Sequence, residues 1–327
     1  MKKILNYLFE YKSLNRQQAH DLLVQVSEGK FNESEISALI TVYLMRSISI
    51  EELQGFKDAL MELALPVTLN SDVIDIVGTG GDGKNTFNIS TLSCFIVAGT
   101  GNKVAKHGNY GASSISGSSN VMEQLGYHFK TSSAELNTEL DTANICFLHA
   151  PLFHPALRAV AGVRKNLGVR TFFNMLGPMV NPASPKYQLV GVYNLEMARI
   201  YNYLLQQQNT AFTILHSLDG YDEISLTGDT KVITNKGEKV LTAEQLGKRI
   251  VLPAELHGGN SPEQAAAIFL KIIKGEGSWS QNAVVIANAA MALNCLGIYD
   301  SYETCYQLAV ESLESGKAYK SFQTILA

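Results

Sequence analysis

The pattern of the sequence changes near residue 73, and this change constrains the fold more than any other feature. Up to residue 65 the chain reads as helical throughout, and it contains no strand pattern. Three helix starts place a capping residue three positions before Glu or Gln: Asn15 with Gln18, Asn32 with Glu35, and Ser49 with Glu52. Pro66 then ends the helical pattern. Residues 1–66 therefore predict a small all-helical domain.

From residue 73 onward, strand and helix patterns alternate. "VIDIV" (73–77) is a short apolar strand, and it is followed by a glycine-rich loop, the helix "ISTLSCFIVAG" and a second strand, "KVAKH". Further strands are predicted at 145–150, 187–193 and 212–217, helices at 155–167 and 196–207, and helices again from Pro262 to Ser315. Such alternation predicts a larger α/β domain, 73–327, built on an open sheet with helices on both faces.

Composition excludes several classes of function. The chain of 327 residues carries a net charge of −4, so no basic field favours binding to nucleic acid or to an anionic membrane. The apolar run "AVVIANAAMALNCLG" is too short to cross a membrane and reads as a buried helix. The four cysteines form no close-spaced pair, which is typical of reduced thiols in a cytoplasmic protein.

The loop after the first strand, within "DIVGTGGDGKNTFNIST" (75–91), predicts a phosphate site. Its glycines at 78, 80, 81 and 83 let the backbone turn several N–H groups inward, and hydroxyl and amide side chains follow at the helix start. The loop is nearly a Walker A motif, but Asn85 replaces the hydroxyl that binds magnesium, and Asp82 would repel a triphosphate. A phosphate ligand that brings a metal or a sugar suits this acid better than ATP.

A second polar loop, "KHGNYGASSISGSS" (106–119), follows the next strand. Lys106 is a charge partner for a diphosphate, and Ser113, Ser114 and Ser118 can donate to its oxygens. A serine- and glycine-rich segment taken alone is more often a flexible linker. Because this one follows a strand predicted beside the first, it favours the opposite wall of the same site.

A third loop, "SLDGYDEISLTG" (217–228), carries the adjacent acids Asp222 and Glu223. Adjacent carboxylates on a turn are usually just solvated. At the same sheet edge as the other loops, however, they could hold Mg²⁺, which prefers one or two carboxylates together with substrate phosphates. Both must turn inward to do so, since neighbours in a regular strand point to opposite faces.

A fourth segment, 154–182, contains a helix with Arg158, Arg164 and Lys165, followed by the rigid loop "MLGPMVNP". An arginine fork suits a planar carboxylate, although most helical arginines are solvated.

The order GTGGD, NIST, KHGN, "AGVRKNLGVRTFFNMLGP" and "DGYDEISLTG" resembles the anthranilate phosphoribosyltransferase family over essentially the whole chain. The resemblance implies transfer of the phosphoribosyl group of phosphoribosyl diphosphate to the amino group of anthranilate, with release of diphosphate, in tryptophan biosynthesis. It also implies Mg²⁺ and a homodimer with a nucleoside-phosphorylase-like architecture, distinct from the common phosphoribosyltransferase fold. The small domain would include an excursion near 165–185.

The resemblance implies site residues one by one. Those for phosphoribosyl diphosphate are Gly78, Gly81, Asp82, Thr86, Asn88, Ile89, Ser90, Thr91, Lys106, His107, Gly108, Asn109, Ser113, Ser114 and Ser118. Those for anthranilate are Gly78, Asn109 and Arg164, with His107 and the Gly177–Pro178 loop nearby, and those for the metal are Ser90, Asp222 and Glu223. No general base is assigned, because the aromatic amine is already a neutral nucleophile.

The sequence departs from the family pattern at a few positions. Tyr110 and Ile115 stand where the family usually has arginine and lysine, which removes two positive charges near the diphosphate, and Gln264 replaces a more usual asparagine. Two other functions remain open at this point: a pyrimidine-nucleoside phosphorylase, and a non-catalytic nucleic-acid-binding relative of the same fold. The first lacks its own base-binding pattern here, and the second should be basic along one face.

Overall fold

The computed structural model describes residues 1–111, 116–247 and 249–327. In chain order its elements are α1 (Lys2–Phe9), α2 (Arg16–Ser27), α3 (Glu33–Met45), α4 (Ile50–Glu62), β1 (Ile74–Gly78), α5 (Ile89–Gly99), β2 (Val104–Gly108), α6 (Ser118–Gln124), α7 (Ser133–Ala143), β3 (Ile145–His149), α8 (Ala150–Phe153), α9 (Pro155–Leu167), α10 (Phe173–Leu176), β4 (Tyr187–Gly191), α11 (Leu195–Leu205), β5 (Ala211–Ser217), β6 (Thr230–Thr234), β7 (Gly237–Leu241), α12 (Ala243–Gly247), α13 (Pro262–Ile273), α14 (Trp279–Cys295), α15 (Tyr302–Glu314) and α16 (Lys317–Leu326). Short 3₁₀ turns occupy Gly177–Met179 and Pro253–Leu256.

One unit of the chain is helical and comprises Met1–Val67 with Ala150–Ser184. The three predicted capping boxes are present at the starts of α2, α3 and α4, so local sequence determines where these helices begin. Phe172 packs its ring against those of Tyr43 and Phe56, with centroids 4.9 and 4.8 Å apart. The second segment begins at Ala150, before the 165–185 range that the resemblance implies.

The other unit, Thr68–His149 with Pro185–Ala327, is built on a seven-stranded sheet in the order β3-β2-β1-β4-β5-β6-β7. Strands β1 to β5 are parallel, whereas β6 and β7 pair antiparallel to their neighbours. The prediction of an open sheet is confirmed. The hairpin of β6 and β7 was not predicted, because β7 lies almost entirely exposed at the sheet edge and has no apolar strand pattern.

Helices cover both faces of this sheet, as predicted. Leu189 and Leu215 belong to the large apolar core around α5 and α14. Val190 and Ile214 are also buried, but they lie outside that core because successive strand side chains point to opposite faces. Helix α16 extends the helical end of the chain past Ser315. Among the described residues, no helix is long and apolar enough to span a membrane.

The strand order positions the site. From β1 the chain moves outward to β2 and β3 and then returns to the other side of β1 as β4, which makes the carboxyl ends of β1 and β4 a topological switch point. Open α/β sheets bind ligands in the crevice at such a point. The glycine-rich loop leaves β1 there, and the N–H of Thr79 donates to the carbonyl of Gly191 at 2.9 Å.

Candidate active site

The glycine-rich loop has a backbone that side chains would strain. Gly80, Gly81 and Gly83 adopt φ values of 63°, 78° and 74°, in the left-handed region. Gly78 has an ordinary φ, but a Cβ there would lie 2.5 Å from a carboxylate oxygen of Asp222. The glycines therefore serve two purposes: three shape the turn, and Gly78 allows an acid to approach the backbone.

The acidic loop between β5 and β6 turns both of its carboxylates toward the glycine-rich loop. Asp222 accepts a hydrogen bond from the N–H of Gly80 at 2.7 Å, and Glu223 accepts one from the N–H of Ser90 at 2.9 Å. The sequence left open whether these acids lie on a solvated turn. In the structure Asp222 is buried and Glu223 half-buried, so they do not lie on a solvated turn.

The buried side chain of Asn288 holds the acidic loop in place through hydrogen bonds to its backbone. On α14, its amide oxygen accepts from the N–H of Ile224 at 3.0 Å, and its nitrogen donates to the carbonyl of the same residue at 2.8 Å. Sequence reasoning assigned no role in the site to Asn288. A polar amide within an otherwise buried helix was the signal, because buried polar groups are almost always hydrogen-bonded.

Three acids meet where the two loops touch. Burial raises the pKa of Asp222 to about 7, and repulsion from Asp82 adds to the effect. Burial likewise raises the pKa of Asp82, and burial together with Asp222 raises that of Glu223 well above its ordinary value. Like charges that are brought together and kept from water are characteristic of sites that bind a cation or carry out chemistry.

The donor set suits a magnesium ion that is shared with a substrate. Among the described residues, no group of three or more His, Cys, Asp or Glu side chains could hold a metal ion on its own. Mg²⁺, however, is usually bound by one or two carboxylates plus substrate phosphates and water, not by a complete protein cage. Asp222 and Glu223, the second of which lies beside Ser90, fit that incomplete set.

Strand β2 places a buried lysine, Lys106, at the site. Lys106 is buried, and its Nζ donates to the carbonyl of Ile76 at 2.7 Å and lies 3.5 Å from Ser90 Oγ. The lysine also favours the ionised form of Glu223. The next residue, His107, is buried, and its N–H donates to Asp75 at 3.1 Å.

The polar loop after β2 is joined to the first loop. Asn88 donates through its side chain to the carbonyl of Ser116 at 3.0 Å, and the carbonyl of Asn109 accepts from the N–H of Ser119 at 3.2 Å and from Ser118 Oγ at 3.4 Å. The predicted residues Ser113 and Ser114, and also Ile115, lie outside the described residues. Ile89 and Thr91 are buried, and Ile89 lies in the apolar core.

A segment that sequence reasoning did not assign to the site supports the glycine-rich loop. The side chain of Asn85 donates to the carbonyl of Gly259 at 2.8 Å, Thr86 pairs with His257, and the N–H of Phe87 donates to the carbonyl of Leu256. Asn85, which argued against a Walker A motif, thus holds the loop in place. The glycines after His257 were the only signal in the sequence.

Arg164 belongs to the helical unit. It is half-buried on α9, with its guanidinium carbon 5.3 Å from the ring centre of Phe173. Burial lowers its pKa, and none of the described acids forms an ion pair with it. Arg158 and Lys165 on the same helix are exposed, and Gly177 and Pro178 form the 3₁₀ turn that follows α10.

Comparison with known proteins agrees with this architecture. Models of the glycosyl transferase family match residues 70–319, as its a/b domain, and residues 2–64, as its helical bundle domain. The anthranilate phosphoribosyltransferase of Christiangramia forsetii is 55% identical over 326 residues, which cover 99% of this chain and 98% of that protein. The crystal structure of the enzyme of that name from Thermus thermophilus aligns with a TM-score of 0.89 at 32% identity and covers 98% of both chains.

The Saccharomyces cerevisiae enzyme, solved in complex with phosphoribosyl diphosphate and Mg, aligns with a TM-score of 0.89 at 26% identity, over 98% of this chain and 95% of that one. The two matching models place the chain among the glycosyl transferases that combine a helical bundle with an α/β domain. Within them, the chain belongs to the anthranilate phosphoribosyltransferase family, as its motifs predicted.

Proposed function

We propose that this protein transfers the phosphoribosyl group of phosphoribosyl diphosphate to the amino nitrogen of anthranilate and releases diphosphate, a step of tryptophan biosynthesis. The observation that carries the proposal is the junction of the two loops, where Asp222 and Glu223 bind the N–H groups of Gly80 and Ser90. Membership of the family supports the reaction. The junction lies at the carboxyl edge of the sheet, where open α/β sheets bind ligands, and so supports a diphosphate site there.

Ser90, Asp222 and Glu223 would hold Mg²⁺, which when bound neutralises charge on the diphosphate. The glycines of the loop allow further backbone N–H groups to turn toward the diphosphate, as in an anion nest. Lys106 places a positive charge beside Ser90 at a buried position, where its attraction for an anion is stronger than in water. The Mg of the yeast enzyme's complex supports the use of Mg²⁺, though not the choice of these three ligands.

These groups suit the charge that develops in the reaction. Cleavage of the bond between C1 and the leaving oxygen makes the ribose positive and the diphosphate negative, so fixed donors at the diphosphate lower the barrier. The nitrogen of anthranilate is already a neutral nucleophile, and the described residues need supply no strong base. The proposed anthranilate contacts are Gly78, Asn109 and Arg164, with the arginine fork binding the carboxylate.

The decisive test follows the fluorescence of anthranilate in the presence of the protein, phosphoribosyl diphosphate and Mg²⁺. We expect the signal to fall with time and to stay constant when any one component is omitted. A constant signal with all components present would reject the function.

A homodimer formed through the helical unit is part of the proposal. The apolar residues of α3, such as Ile36, Leu39 and Ile40, are buried within the unit itself and offer no surface to a partner. The apolar surface that supports the proposal lies elsewhere, at Phe9, Tyr11 and Met45, which are 58%, 82% and 81% exposed. Light scattering at micromolar concentration should give twice the mass of the chain, and a monomer there would contradict the proposal.

A further inference from the structure

The loop that follows β2 is closed at its base by its own polar groups. We call the two chain segments at this base, 109–111 and 116–120, the neck. The side-chain oxygen of Asn120 accepts from the N–H of Gly111 at 2.9 Å and from that of Gly117 at 3.0 Å. A Cβ at Gly117 would lie 2.7 Å from the carbonyl carbon of Tyr110, so the two segments of the neck are in contact. The side chain of Asn120 therefore joins the two segments of the neck.

The side chain of Tyr110 connects the first segment of the neck to α6 and to the end of β3. Its hydroxyl donates to Glu123 on α6 at 2.8 Å. Its ring meets the imidazole of His149 edge to face, with centroids 4.7 Å apart. His149 ends β3 and lies in register with Gly108 at the end of β2.

His149 is itself firmly held, so it offers Tyr110 a rigid surface. The imidazole is buried and stacks on Phe129 with an interplanar angle of 18°. Its Nδ1 lies 2.7 Å from the hydroxyl of Ser119, which belongs to the second segment of the neck. Both segments of the neck are thus held by one cluster of side chains, which consists of Tyr110, Ser119, Glu123, Phe129 and His149.

We propose that Tyr110 is a positioning residue for phosphoribosyl diphosphate, which acts by holding the neck through Glu123 and His149 so that Asn109 and Ser118 face the diphosphate site. The inference rests on the proposed function. It also gives a role to the position where the family pattern has arginine: a hydrogen bond and a ring contact fix the loop in place of a charge.

The test compares Tyr110→Phe and Glu123→Ala with the wild-type enzyme. Each variant should raise KM for phosphoribosyl diphosphate about 3- to 10-fold, the range of one net hydrogen bond, while kcat changes less than about twofold. The double variant should be no worse than the more affected single variant, because both remove the same bond. Glu123→Gln, which keeps an acceptor oxygen, should restore a KM near that of the wild type, and Tyr203→Phe, on an exposed tyrosine of α11, is the control.

An unchanged KM in Tyr110→Phe, or losses that multiply in the double variant, would overturn the inference while leaving the reaction intact. A lowered melting temperature with an unchanged KM would also overturn it, since the role would then be structural only. If the wild-type chain consumes no anthranilate, the proposed function fails, and calorimetry with inorganic diphosphate and Mg²⁺ decides the inference. Weaker binding by Tyr110→Phe would uphold it, and equal or absent binding would overturn it.

Discussion

Glu52 in the helical unit and Asp222 in the α/β unit are both buried acids, but their surroundings differ in kind. Glu52 is bound by both terminal nitrogens of Arg46 at 2.6 and 3.0 Å, and it also accepts from the N–H groups of Leu14 and Ser49. Burial acts to raise the pKa of Glu52, but Arg46 and the backbone donors hold it below its ordinary value. Its charge is fully satisfied within the chain.

Asp222 accepts only backbone hydrogen bonds, including that of Gly80, and has two acidic neighbours among the described residues. Burial and Asp82 raise its pKa to about 7, in the direction opposite to that of Glu52. An acid that is paired inside the chain has no capacity left for a ligand, whereas acids that repel one another gain free energy when a cation arrives. The difference separates a charge that stabilises the fold from charges that are kept for a ligand.

The largest effect should come from breaking the satisfied pair. Arg46→Ala leaves Glu52 buried without its cation and should lower the free energy of unfolding of the helical unit by about 3–5 kcal/mol. Denaturant unfolding measures it. Arg16→Ala, which breaks the exposed pair with Asp58 in the same unit, is the matched control and should cost less than about 1 kcal/mol. Equal losses in the two variants would mean that Glu52 is not a buried structural charge.

The repelling acids should behave in the opposite way. Asp222→Asn and Glu223→Gln should each lower turnover at least about 100-fold at low Mg²⁺, with partial recovery as Mg²⁺ is raised, because weakened metal binding follows mass action. Above pH 7 the melting temperature should stay the same or rise, since the substitution removes a disfavoured charge.

Asp219→Asn, on the exposed part of the same loop, should keep turnover within about twofold and is the control for these variants. If Asp222→Asn and Glu223→Gln stay fully active at low Mg²⁺, these acids are not metal ligands, and the comparison with Glu52 loses its functional half.

Arg164 extends the comparison to a half-buried cation. Like Asp222 it lacks a charge partner of opposite sign among the described residues, whereas Arg46 has one. Arg164→Ala should raise KM for anthranilate about 30- to 100-fold, the loss of a charge-assisted contact, and leave KM for phosphoribosyl diphosphate unchanged. Lys165→Ala, on an exposed neighbour, should change neither constant. A rise in the phosphoribosyl diphosphate KM alone would show that the assignment to anthranilate is wrong.

Features written in short stretches of sequence could be predicted. The capping boxes, strands β1 to β5 and the glycine turn each depend on neighbouring residues, whose spacing determines the local conformation. The hairpin of β6 and β7 could not be predicted, because the residues of β7 face solvent and show no apolar alternation.

Contacts between distant positions also escaped prediction. Asn288 binds Ile224 across 64 positions and Asn85 binds Gly259 across 174, and neither pair leaves a local pattern. For the acidic loop, the sequence supplied the residue types, but only the fold could show that both carboxylates turn toward the glycine-rich loop. Sequence thus predicts the chemistry of the site better than the residues that hold it in place.

A third buried acid, Glu139 on α7, offers the smallest and most quantitative test of the comparison. Its carboxylate accepts from the hydroxyl of Tyr127, which lies 2.9 Å from both of its oxygens, but it has no paired cation among the described residues. Burial raises its pKa to about 7 from an ordinary 4.5. Since this pKa is raised in the folded state, the native protein binds more protons than the unfolded chain between pH 4.5 and 7, and stability falls as the pH rises through that window.

Glu139→Gln should remove this part of the pH dependence. Relative to the wild type, the variant's free energy of unfolding should increase by about 1–2 kcal/mol between pH 5 and pH 8, a value reduced from the full linkage because solvent screens part of the charge. Denaturant unfolding at a series of pH values measures the difference, with Glu196→Gln on the exposed start of α11 as the control. Parallel curves for wild type and Glu139→Gln would show that Glu139 is satisfied in its ionised form, as Glu52 is, and that an acid without a paired cation can still be structural.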